Sequence, residues 1–132
     1  MTIDPIQIGE HLIDVFDESC PSRRALALVA DKWSVLVLAA VANGVSRNGA
    51  LLRRVNGISQ KMLTQTLRDL ERNGLVARSV FAEVPPRVEY ELTGIGDTLY
   101  PLMRELCEWS MQHITEVEEA RRRYDLRSAG PA

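Results

Sequence analysis

Behind Ser59 the chain sets out Gln60, Lys61, Thr64, Gln65 and Arg68, a run of carboxamides, a hydroxyl and cations with few acids among them. One chemistry suits that set: reading the edges of base pairs. A glutamine amide presents a donor beside an acceptor, as an adenine edge requires, and a lysine can donate to guanine. Thr64 can serve a base or a phosphate. Arg53, Arg54, Ser59 and Arg68 suit phosphate contacts, which fix register and add salt-dependent affinity without carrying sequence information. Arg87 follows Pro85-Pro86 and is expected to enter a minor groove, where narrow A·T tracts concentrate negative potential, with Arg78 supporting it.

Thiol and metal chemistry have less to build on. Cys20 and Cys107 are too few and too far apart for a disulfide scaffold. His11 and His113 complete no set with metal-ligand spacing, so neither a metal nor a cofactor is expected. A thiol-dependent enzyme using Cys20 is disfavoured, since the chain has no Cys-x-x-Cys pair, no motif linking a histidine to Cys20 and no Gly-rich nucleotide loop. Cys20 does precede Pro21 at an expected helix start, with Arg23 and Arg24 close behind. The helix dipole and two cations would favour its thiolate, while Asp17 and Glu18 oppose it. Cys107, beside Leu106 and Trp109, reads as a packed apolar thiol.

The base-reading side chains need a helix to carry them. Ser59 is a good N-cap for a helix from Gln60 to Arg72, which Asn73-Gly74 closes. Leu63, Leu67 and Leu70 fall on one face, leaving the polar set on another. Ahead of it a short helix spans Gly49 to Arg54, and Val55-Asn56-Gly57 makes the turn. Upstream, Asp31 caps a central helix from Lys32 to Ala42, stopped by Asn43-Gly44. A helix starting at Cys20-Pro21 buries Ala25, Leu26, Leu28 and Val29. Ile3, Ile6, Ile8, Leu12, Ile13 and Phe16 suggest a further short helix over residues 3–17.

After Gly74 the apolar period shortens to two. Val76, Arg78 and Val80, then Val88, Tyr90 and Leu92, read as two strands joined around Val84-Pro85-Pro86-Arg87. Thr93 caps a long helix with Ile95, Leu99, Leu102, Leu106, Trp109 and Ile114 along one side, which Pro101 would kink or start later. Residues 121–132 are expected to fray. Helix, helix, turn, helix and hairpin make a mainly α chain with a small β-hairpin, a winged helix-turn-helix in one domain over residues 1–132. The DNA-binding core covers about residues 20–113.

The net charge of −2 conceals a pattern that fits this reading. Residues 47–87 hold eight basic and three acidic side chains, whereas the segments before and after are both net negative. The longest apolar run, Val35 to Ala42, is too short to span a bilayer and no basic segment precedes it. A cytoplasmic protein without membrane contact is the expectation.

The strings CPSRRALALVADKWSVLVL, GISQKMLTQTLRDLERNGLVAR and EVPPRVEYELTGIGDTLYPLM resemble the HxlR-type regulators, winged-helix transcription factors related in architecture to the MarR group. The resemblance implies a homodimer, with the helix after Ile58 reading operator DNA and the Pro-Pro hairpin as wing. A cysteine at the position of Cys20 resembles the redox- or electrophile-sensing cysteine of several members, so an oxidant or small-molecule effector is a further expected partner. One stretch departs from the pattern. Arg47-Asn48-Gly49-Ala50-Leu51-Leu52 stands where an aromatic and a Glu-Leu-Arg-like segment are usual, and base contacts are expected at Gln60 to Arg68 rather than there. The first and last helices, about residues 3–17 and 95–120, carry more apolar surface than one winged domain needs. Ile6, Leu12, Phe16, Leu99, Leu102, Leu106 and Trp109 are therefore assigned to a two-fold interface, and the operator should be near-palindromic.

Overall fold

The computed structural model describes residues 6–8, 11–13 and 16–130. In chain order these form strands β1 (Ile6–Ile8) and β2 (His11–Ile13), helices α1 (Ser22–Ala30), α2 (Lys32–Ala42), α3 (Asn48–Arg54) and α4 (Gln60–Arg72), strands β3 (Val76–Phe81) and β4 (Arg87–Leu92), and helix α5 (Gly94–Ser128). The fold is the expected mainly helical one with an antiparallel two-stranded wing.

The core is built where four elements converge on α2. Val37, Leu38 and Val41 from α2 meet Leu51 from α3, Leu63, Leu67 and Leu70 from α4, Val76 from β3 and Met103 from α5. The nearly continuous apolar sequence of α2 suits a helix with neighbours on most sides. Its start is held as expected, with the Asp31 carboxylate accepting from Trp33 N–H and from the Ser34 hydroxyl, which itself is buried.

The wing is a regular ladder with Val76 opposite Leu92, Arg78 opposite Tyr90 and Phe81 opposite Arg87. Its prolines lie beyond the paired residues, where no ladder donor is needed. The Tyr90 N–H donates to the Ser46 carbonyl at 2.8 Å, so β4 is also fastened to the loop that enters α3. At the wing's base, Thr93 holds three pieces together. Its hydroxyl donates to the Gly74 carbonyl and accepts from Gly96 N–H, and its own N–H donates to the Leu75 carbonyl.

Three expectations are corrected. The segment read as an N-terminal helix over residues 3–17 contains an antiparallel pair of strands, with Ile6 opposite Ile13 and Ile8 opposite His11. Ile6-Gln7-Ile8 and His11-Leu12-Ile13 are short runs rich in β-branched residues around Gly9-Glu10, a pattern that fits a two-residue hairpin connection better than a helix. The side chains of Ile6 and Leu12, assigned to a dimer interface, and the whole of Ile3 lie outside the described residues.

Helix α1 begins at Ser22, one residue past Pro21, and buries none of its residues fully. Leu28 and Val29 pack against the core, whereas Ala25 and Leu26 are exposed. Residues 25–30 are all apolar, and a helix touching the domain on one side can cover only part of such a run. The tail expected to fray from residue 121 continues α5 to Ser128, with Pro101 inside the helix and its start at Gly94. Residues 118–123 are strong helix formers with Glu and Arg four apart, which sustains the helix without packing. Residues 131–132 of the tail lie outside the described part.

Candidate nucleic-acid interface

Helix α4 is fixed from both ends and from beneath. The Ser59 hydroxyl accepts from Met62 N–H at 3.0 Å, the expected cap, so this side chain is occupied in starting the helix. At the other end Gly74 adopts φ +75°, a left-handed turn that closes a helix and favours glycine. Beneath, Leu63, Thr66, Leu67 and Leu70 are buried. The same geometry leaves Gln60, Lys61, Gln65 and Arg68 exposed and Thr64 half-buried.

Three of the expected base readers are already hydrogen-bonded to protein. Gln60 and Asn48 exchange amide hydrogen bonds, Asn48 Nδ2 to Gln60 Oε1 at 2.8 Å and Gln60 Nε2 to Asn48 Oδ1 at 3.0 Å. Gln60 Nε2 also reaches Thr64 Oγ1 at 3.0 Å. One turn later, Gln65 Nε2 donates to Asp69 Oδ1 at 3.1 Å.

The expected phosphate contacts divide between two places. Arg68 and Arg78 line one groove of about 370 Å³ between α4 and the wing, together with Asn48, Thr64, Glu71 and Tyr90. Arg54 instead borders a groove between α2 and α3, with Leu36, Asn43 and Asn56. Arg53 is exposed in the last turn of α3.

Arg87 does not project from the tip as expected. It is the first residue of β4, its guanidinium lies 4.1 Å from the Phe81 ring centroid, and it approaches Glu83 and Glu89 at 3.5 Å each. Glu89 in turn approaches Arg47 at 3.5 Å. Asn48, Glu83 and Glu89 are therefore parts of the surface that reasoning from sequence missed. Strand alternation puts Arg87 and Glu89 on one face and could have revealed Glu89. Asn48 needed the tertiary approach of α3 to α4.

Cys20 is half-buried ahead of α1, its Sγ 2.8 Å from Ser22 Oγ. Nearby, Asp17 is held below the usual carboxylate range, chiefly by the Ser19 N–H and then the Ser19 hydroxyl, against some desolvation and with help from Arg23. Cys107, expected to be packed, is half-buried. On α5, Leu99 packs against the core, while Leu102, Leu106 and Trp109 are each about half exposed, as is Ile114 farther along. Phe16, also assigned to the interface, is 65% exposed. Among the described residues no group of metal-ligating side chains is assembled, and no single helix is long and apolar enough to cross a membrane.

A capped, amphipathic second helix after a tight turn, followed by a wing, is the arrangement of a helix-turn-helix regulator. The HxlR-like helix-turn-helix family matches residues 28–118. The chain belongs to that family. It is 42% identical over 108 residues to the uncharacterized HTH-type transcriptional regulator YkvN of Bacillus subtilis strain 168, covering 82% of this chain and 91% of the relative. The solved structure of ytfH from Salmonella typhimurium, described as a transcriptional regulator, superposes with a TM-score of 0.77 at 38% identity, over 83% of this chain and 97% of that one. The redox regulator HypR in its oxidized form superposes at 0.65 and 38% identity, over 70% and 96% of the two chains. This HxlR-family chain is a helix-turn-helix transcriptional regulator.

Proposed function

We propose that the protein binds operator DNA sequence-specifically in the cytoplasm, with α4 in a major groove and β3–β4 against the neighbouring backbone. The observation that carries this reading is the coincidence on α4 of a rigidly held apolar face with an exposed polar one, flanked by the Arg68 and Arg78 groove. Gln60, Lys61, Thr64 and Gln65 read bases. Arg53, Arg54, Arg68 and Arg78 meet phosphates, and Ser59 presents the helix N-terminus to one. Arg87 joins them once it leaves Glu83 and Glu89.

A homodimer is the second part of the proposal. Leu102, Leu106, Trp109, Ile114 and Val117 leave a long apolar stripe on α5 uncovered, which a two-fold partner would bury. The two reading helices would then lie about 34–36 Å apart on successive major grooves.

Selection of bound sequences from a random DNA pool tests the reading: a near-palindromic consensus is expected, and recovery of unenriched DNA would overturn it. With that operator in hand, Gln65→Ala should relax base preference, whereas Arg68→Ala should weaken all sequences alike and flatten the salt dependence.

The response we assign is to thiol oxidants or electrophiles at Cys20, supported by its place beside Ser22 at a helix start and by the likeness to a redox regulator. Diamide should change operator affinity of the wild type and leave Cys20→Ser unaffected. An equal response in both proteins removes Cys20 from the role.

A further inference from the structure

The Asn48–Gln60 pair has a free edge with the hydrogen-bonding pattern of a base-reading group. Two side-chain amides that donate to each other form a flat ring with two outer edges. On one edge lie Gln60 Nε2 and Asn48 Oδ1, and there the remaining Gln60 N–H is taken by Thr64 Oγ1. On the other edge lie Gln60 Oε1 and Asn48 Nδ2, 2.8 Å apart, with an unused lone pair on the first and an unused N–H on the second.

While this ring is intact, Gln60 cannot make the two-bond contact to adenine alone, because both of its N–H donors are committed. The composite edge can. Adenine offers the N7 acceptor and an N6–H donor side by side in the major groove, which matches one donor from Asn48 and one acceptor from Gln60.

We propose that Asn48 is a specificity residue: with Gln60 it forms a two-residue reader of a single adenine, and Thr64 sets which edge faces the base. The inference rests on the DNA-binding reading above and assigns a base contact to α3 as well as α4. It also gives a purpose to the segment that departs from the family pattern, because an aromatic side chain at residue 48 could not enter the ring.

The test uses the operator selected by the full-length wild type, with each adenine in turn replaced by 7-deazaadenine, which lacks the N7 acceptor. One substitution should weaken wild-type binding about tenfold. In Asn48→Asp that penalty should vanish, because the carboxylate still accepts from Gln60 Nε2 while the atom donating to N7 has gone, and the penalties at other adenines should persist. The comparison is a ratio within each protein, so a general loss of affinity does not disturb it, and circular dichroism checks that the variant is folded. Asn48→Asp keeps the shape and loses both N–H donors, so it removes the N7 contact without releasing Gln60 to read the adenine alone.

An unchanged penalty pattern in Asn48→Asp overturns the composite reader and leaves sequence-specific binding standing. Unselective binding by the wild type overturns the wider reading, and this one with it.

Discussion

Gly96 packs its Cα against the backbone of Leu75 so closely that a Cβ there would lie 2.2 Å from the Leu75 carbonyl oxygen. That oxygen accepts from the Thr93 N–H, so it cannot retreat without giving up a bond at the base of the wing. Alanine is intrinsically the better helix residue by about 1 kcal/mol, but forcing a methyl into a closed site costs about 1–3 kcal/mol. The clash should win.

Gly96→Ala is therefore expected to destabilise the protein by about 1–2 kcal/mol in urea denaturation. Gly94→Ala, two residues earlier in the same helix with nothing within 4 Å of the added carbon, should be neutral or slightly stabilising. Equal effects of the two would show that helix propensity, not the approach to Leu75, governs the site.

Ser59→Ala removes the side-chain acceptor at the start of α4 and should cost about 1 kcal/mol. If α4 reads DNA, affinity should fall on all sequences alike, since the helix start is loosened and no base reader is touched. A change in base preference in the selected pool would contradict that division of labour.

Glu89 sits within 3.5 Å of both Arg47 and Arg87 and restrains two cations, of which Arg87 is assigned to the DNA-facing surface. Glu89→Gln should raise affinity for random DNA several-fold at low salt. It should also steepen the slope of log affinity against log salt by up to about one per arginine recruited. Titration by fluorescence anisotropy at four salt concentrations measures both. Weaker binding would mean that Glu89 orients the arginines rather than competing for them.

Trp109 is 56% exposed on α5 and lies tilted against His113 with ring centroids 5.1 Å apart. Trp109→Glu leaves the core around Met103 untouched and places a charge in the proposed two-fold interface. Sedimentation equilibrium should show a dimer for the wild type and a monomer for the variant, while the helical circular dichroism of the domain stays the same. A dimer unaffected by the charge would move the interface off this face of α5.

The reading helix was legible in sequence because everything that fixes it is local: Ser59 at its start, leucines at helical spacing, Gly74 past its end. The wing was legible for the same reason, through its change of period and its prolines. The N-terminal strands were not, because Ile6 to Phe16 satisfies helical spacing loosely while two three-residue runs satisfy strand alternation. A segment so short carries little signal for either. Burial on α1 was overestimated because a continuous apolar run does not say which side has a neighbour. The site's least legible parts, the Asn48–Gln60 ring and the Glu89 bridge, are side-chain pairings across elements, and no spacing rule along one element reports them.

The Thr93 hydroxyl bonds the last residue of the turn after α4 and the first turn of α5 at once. One oxygen atom thus makes the C-terminal end of the reading helix and the root of the longest helix a single mechanical joint. Thermodynamic reciprocity then runs the connection in both directions: any ligand that favours one setting of α5 changes the affinity of α4 for its target by the same factor that the target changes the affinity for the ligand.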